Sequence, residues 1–278
     1  PDLQALRTLT SLLSFLALGF SVYVGFWGPR DPLSNLLPLG FWTLGWVALV
    51  SLSAVFGNLW LWLNPWSGIQ RVVSLDAPAF RLPPWLGQWP AVALLVAFSA
   101  YLLAGIAPDD PAQLARLILA YWSATFAGIV LFGTAWLRQV DLGYAVMQAY
   151  GTLAPARGGR HGAIGGPGWQ TTAAPPGRAA GIFALTLLAA GSFDGLNETF
   201  WWLGVIGVNP LEFPGRSAVV WQTVGGLLAT IFGLALVFAA TIRAGLRLSR
   251  SNQPFWHSYE WLALSLLPIA LAYHIAHY

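Results

Sequence analysis

The chain has no cysteine and no lysine, and only 8% of its residues are charged. Without cysteine there can be no disulfide, thiolate metal site or thiol nucleophile, and the redox compartment stays open. Without lysine there is no Schiff-base residue, which excludes a retinal-type protein whatever the helix count. The thirteen basic residues are all arginine. Soluble domains devote about a quarter of their residues to charge. A sequence with so little charge and 57% hydrophobic residues cannot clothe a soluble core in polar surface, and belongs in a membrane.

The apolar runs are each long enough to cross about 30 Å of hydrocarbon. They fall at 8–27, 40–62, 89–106, 116–137, 179–199, 217–242 and 256–278. Lipid offers backbone groups no partners, and the runs lack the alternation of barrel strands, so they must be helices. The expected fold is all-α: a polytopic membrane helical bundle of about seven transmembrane helices, forming a single domain over 1–278. The first run follows Arg7 but lacks a small-residue cleavage site, so it reads as a retained helix rather than a signal peptide. The chain opens at Pro1 without Met and ends in the still-apolar ALAYHIAHY, and both ends read as cut.

Arginine distribution tests the division. The N-terminus and the second, fourth and sixth loops collect Arg7, Arg71, Arg81, Arg138, Arg157, Arg160, Arg178, Arg243, Arg247 and Arg250. Only Arg30, Arg116 and Arg216 fall on the other side. This positive-inside bias places the N-terminus in the cytoplasm and residue 278 outside, in the inner membrane. The net charge of +3 therefore concerns headgroups, and nucleic acid is not an expected partner. Arg71, Arg138, Arg247 and Arg250 are the expected lipid-headgroup contacts.

Two stretches echo each other. VFGNLWLWLNPWSGIQRVVSLDAP and LFGTAWLRQVDLGYAVMQAYGTLAP share Phe-Gly-x-x-Trp, at Phe56, Gly57 and Trp60 and at Phe132, Gly133 and Trp136, then reach Ala-Pro at Pro78 and Pro155. Each reads as the inner end of a membrane helix followed by a short amphipathic helix at the interface. Trp66, Ile69, Val72 and Val73 share one face in the first; Leu142, Ala145, Val146, Ala149 and Leu153 do in the second. The expected organisation is two repeats, 8–78 and 89–155, a flexible cytoplasmic loop over 156–178, and helices over 179–278. His161, among the loop arginines, reads as solvated.

Chemistry is confined to few positions. SFDGLNETF closes the fifth span with Asp194, Asn197 and Glu198, and YHIAHY closes the seventh with His274 and His277. Asp194 and Glu198 are four apart and the histidines three, so each pair shares a helix face. At about 1.5 Å per residue from the inner ends, Asp194 rises about 22 Å and His274 about 27 Å, which puts all four at similar depth in the outer leaflet. Such a cluster suits a divalent metal or a proton relay. The plainer alternative has Asp194 capping a short outer helix with Glu198 in its first turn, the histidines bonding to carbonyls. Glu260 and the Arg243, Arg247, Arg250 run read as structure, either through a pair of Glu260 with one of these arginines or through arginines that snorkel to anionic lipid. Asn58 is expected to bond a neighbouring helix, and Asn64-Pro65 to end helix two. No phosphate loop, Ser-His-Asp spacing or dinucleotide fingerprint is present.

FGNLWLWLNPW, the FGTAW hairpin with its amphipathic run, SFDG and the closing PIALAYHIAHY together resemble a family of bacterial multi-pass membrane proteins labelled fenitrothion hydrolase-like. The resemblance covers the chain from about the second helix onward and implies hydrolysis of organophosphate-type esters. It assigns no catalytic residues. Three classes of function follow. The preferred one is a transporter, or an integral subunit of a larger membrane assembly. The second is a membrane-embedded hydrolase in which His274, His277 and carboxylates hold a metal that activates water. The third is a Trp-rich scaffold that holds partner subunits.

Overall fold

The computed structural model describes residues 3–73, 78–157, 162–173 and 176–277. Arg160, His161 and Tyr278, and with Tyr278 the expected outward end, lie outside them. The described chain is helical almost throughout, an all-α polytopic bundle. Among the described residues, six helices are long and apolar enough to cross a membrane. They are α1 (Leu3–Trp27), α2 (Leu36–Phe56), α6 (Pro111–Phe132), α9 (Arg178–Asn197), α11 (Val220–Leu248) and α12 (Phe255–His277). A seventh apolar helix, α5 (Trp89–Ala104), is shorter. Between them lie α3 (Trp60–Leu63), α4 (Ser67–Val72), α7 (Thr134–Gln139), α8 (Leu142–Gly151) and α10 (Phe200–Val205). One small antiparallel pairing joins Ala156–Arg157 to Ala163–Ile164.

The second and fourth spans stop earlier than the sequence reading placed them, at Phe56 and Phe132 rather than at 62 and 137. The cause is the glycine of each Phe-Gly pair. Gly57 has φ 87° and ψ −174°, Gly133 φ 64° and ψ −153°, conformations that side chains other than hydrogen rarely tolerate. Each still donates its N–H to the preceding turn, to Ser53 O at 2.9 Å and Ile129 O at 2.7 Å, and each is followed by a short helix, a break and a second short helix. At those breaks Asn64 Oδ1 accepts from Ser67 N (2.9 Å) and Asp141 Oδ2 from Tyr144 N (2.9 Å). The two Phe-Gly-x-x-Trp stretches thus share a local plan.

The chain forms two compact units, Pro1–Ala91 with Ala107–Ile164, and Val92–Ile106 with Gly165–Tyr278. In the first, α1 packs on α6 through Val22, Leu114, Ala115 and Ile118, and Leu37 of α2 joins the same cluster. The α3–α4 segment binds the first half of α1. Thr10 Oγ1 donates to Trp62 O (2.7 Å), Ser11 Oγ to Asn64 O (2.6 Å), and Gly68 N to Ser11 Oγ (2.7 Å). The apolar faces of the two short amphipathic helices meet protein to different degrees. Trp66 is 2% exposed against Ile129 and Leu137, while Val72 and Val73 remain open; Ala145, Val146 and Leu153 of the α8 segment are buried.

In the second unit α9 is central, packed against both α11 and α12. Its contacts include Leu185 with Ile242, Tyr259 and Ala263 at one end, and Phe193 with Leu227 and Leu103 toward the other. Long apolar side chains face outward on both units, such as Leu16 and Phe20 of α1 and Phe232 and Leu236 of α11. In a membrane these are the ridges that hydrocarbon covers.

Candidate functional site

Glycines on α9 set how closely α12 approaches. A Cβ at Gly181 would lie 3.3 Å from Ala263 Cβ, and one at Gly195 would run into the Tyr273 hydroxyl. Small residues at such crossings let helix backbones come together where lipid supplies no hydrophobic drive. The last turns of α12 consequently lie beside SFDG. Phe193 is fully buried there, edge-on to Trp202 with ring centroids 5.1 Å apart, and both rings fill the space that a side chain at Gly226 of α11 would need.

Asp194 thereby meets His277. Its Oδ2 lies 3.0 Å from His277 Nε2, with side-chain exposures of 13% and 26%. His274, one turn earlier on α12, is buried. The carboxylate is neither a bare charge in hydrocarbon nor the cap of the following helix. That cap is Thr199, whose Oγ1 accepts from Trp202 N at 3.2 Å. An acid and an imidazole at this separation can share and exchange a proton.

The other expected members go elsewhere. Glu198 is exposed and, with Asn197, lines a separate cavity of about 230 Å³ in the same unit. Asn197 Oδ1 accepts from Thr223 Oγ1 of α11 at 3.5 Å. Among the described residues no three His, Asp or Glu side chains converge as a metal site. Structural and catalytic zinc sites generally require at least three protein ligands.

Glu260 pairs with Arg178 of α9, Oε1 to Nε 3.7 Å, rather than with Arg243, Arg247 or Arg250. Arg243 instead sits over the Phe255 ring at 4.4 Å, and Arg178 over Trp256 at 5.0 Å. The α9–α12 crossing brings Arg178 to Glu260 from an element far away in sequence. Of the expected headgroup arginines, Arg138, Arg247 and Arg250 are exposed, whereas Arg71 Nη1 donates to Thr8 Oγ1 at 3.1 Å. Asn58 does bond across elements, its Nδ2 donating to Gln148 Oε1 of α8 at 3.1 Å.

One acidic residue escaped the sequence reading. Asp141, 1% exposed in the first unit, accepts from the Trp60 indole, from Tyr121 OH at 2.6 Å and from Tyr144 N at 2.9 Å. Burial pushes its carboxyl up to about 6, against the hydrogen bonds that favour its charge. Burial also raises the Tyr144 phenol, with Arg138 pulling the other way. The available signal was Asp ahead of an apolar helical run, which marks an N-cap. Charge alone had not singled it out.

No protein-family model matches this chain, and neither a curated protein nor a solved structure does.

Proposed function

We propose that the chain is a multi-pass protein of the bacterial inner membrane, acting as a transporter or as an integral subunit of a larger membrane assembly, with Asp194 and His277 as its proton-handling pair. The observation that supports this is the 3.0 Å contact between a largely buried carboxylate and an imidazole on two apolar, membrane-length helices. Ionisable groups inside membrane segments are costly and are characteristic of substrate, ion and proton pathways. A carboxylate in contact with an imidazole supplies both a proton acceptor and a proton donor at one point of such a pathway. With the N-terminus cytoplasmic, as the arginine bias directs, the pair lies in the outer leaflet.

The test is proton flux into proteoliposomes that carry a trapped pH-sensitive dye, driven by an imposed potential. The expected outcome is flux above protein-free vesicles that falls about tenfold or more in Asp194→Asn and His277→Gln at unchanged folded yield. Flux no greater than in empty vesicles, or indifferent to both substitutions, would refute the reading. Nitrophenol release from a fenitrothion-type ester by the purified chain would instead favour the hydrolytic alternative.

A further inference from the structure

The second unit contains a cavity of about 230 Å³ where the ends of α5 and α9 meet the start of α11. Leu203, Ile206, Phe213 and Val219 give it apolar wall, Asn197 and Thr223 line it as a hydrogen-bonded polar pair, and two opposite charges face it, Glu198 and Arg216. These charges do not pair with each other, since neither takes part in an ion pair within 4.0 Å among the described residues. Arg216 is anchored through one nitrogen only. Its Nη1 donates to Leu102 O (3.3 Å) and Gly105 O (3.5 Å), carbonyls at the C-terminal end of α5, which favours a cation. The remaining guanidinium N–H groups have no acceptor among the described residues, and neither does the Glu198 carboxylate have a donor.

From this we infer that the cavity binds a small zwitterion, its ammonium at Glu198 and its carboxylate or phosphate at Arg216, with a short apolar body against Leu203, Ile206, Phe213 and Val219. A simple anion would meet Glu198 as a like charge, and a simple cation would meet Arg216. A purely apolar ligand would strip water from both charged groups and return no hydrogen bond. A ligand carrying both charges satisfies each, and guanidinium suits either acid through paired N–H donors. The volume equals about eight waters of bulk liquid, which fits a compact ligand of about ten non-hydrogen atoms. Two sources have this chemistry, a free apolar amino acid such as leucine and the ethanolamine headgroup of a phospholipid. The inference is independent of the Asp194–His277 proton reading, because it concerns binding and not flux.

The experiment uses the full chain in a maltoside detergent free of phosphatidylethanolamine. Binding is measured calorimetrically for leucine, for dihexanoyl-phosphatidylethanolamine below its micellar concentration, and for isovalerate and isoamylamine, which each keep one charge of leucine. Saturable binding of leucine or of the lipid is expected, at least about tenfold tighter than either single-charge analogue. Glu198→Gln and Arg216→Gln should each weaken it by about tenfold. Leu203→Trp, which fills the cavity and leaves both charges in place, should abolish it in protein that remains monodisperse, whereas Asp194→Asn should leave it unchanged. Leucine alone binding identifies a free amino acid, and the lipid alone a headgroup. If neither zwitterion saturates below about 10 mM, if the single-charge analogues bind equally well, or if Leu203→Trp and Glu198→Gln bind like the unsubstituted chain, the inference is wrong.

Discussion

The Asp141 carboxylate accepts the indole N–H of Trp60, a residue 81 positions earlier, and so ties the segment after the second membrane helix to the one after α6. Tyr121 of α6 completes the knot, donating to the same carboxylate and accepting from Leu142 N at 2.9 Å. No cation takes part in these hydrogen bonds.

A pH dependence follows. The Asp141 carboxyl rises from 3.8 to about 6 on folding, so between those values the folded chain holds the proton and the unfolded chain has released it. Stability from this group therefore falls as pH rises from about 4 to about 6, and the loss is complete above that. Thermal unfolding in detergent should show unsubstituted protein gaining on Asp141→Asn as the pH is lowered from 7 to about 5. A difference between the two that stays constant across the range would contradict the assignment.

The contact of Gly195 with Tyr273 predicts a mutational rescue. Gly195→Ala places a methyl group in the Tyr273 hydroxyl and should cost about 1–3 kcal/mol, as overpacking does. It should also separate Asp194 from His277 and lower proton flux. Tyr273→Phe in the same chain removes the obstructing oxygen and should recover most of both losses. Additive damage in the double variant would show that the hydroxyl is not the obstacle.

Gly57 and Gly233 separate backbone strain from crowding. Neither would have a neighbour within 4 Å of an added Cβ, yet Gly57 has φ 87° and Gly233 lies inside α11. Gly57→Ala should destabilise by about 1–3 kcal/mol through its backbone alone. Gly233→Ala should be neutral or gain up to about 1 kcal/mol of helix propensity. Unfolding temperatures of the two variants, measured side by side, provide the check.

The arginine bias predicts which ends share a side of the membrane. Because the chain has no cysteine, a single introduced thiol reports its own position without background. Cysteines at Asp109 and at Ile164 should label with an impermeant maleimide from opposite sides, and the one at Ile164 only after the vesicles are opened from the cytoplasmic face. Labelling of both from one side would overturn the orientation.

Much of the bundle was legible because lipid imposes a simple rule. A span needs about twenty apolar residues with every backbone group paired inside it, and that requirement is visible in the sequence without reference to any neighbour. The ends of the second and fourth spans were misplaced by the same kind of reading. WLWL and TAWL are apolar enough to continue a helix, and it was the backbone at Gly57 and Gly133 that turned. The Phe-Gly-x-x-Trp echo marked those positions but did not reveal the break.

The sequence by itself determined the class of protein, the approximate number and place of its helices, and the scarcity of groups able to do chemistry, because these follow from composition and from periods along one helix. Which of those groups meet was decided only by tertiary structure. Asp194 and Glu198 share a helix face by spacing, yet one contacts His277 and the other lines a separate cavity with Arg216. Glu260 found Arg178 rather than the arginine run of α11, and the buried Asp141 was joined by Trp60 and Tyr121. The reason is physical: helix spacing fixes direction only within one element, whereas the partner across a crossing depends on how closely residues such as Gly181 and Gly195 let two helices approach.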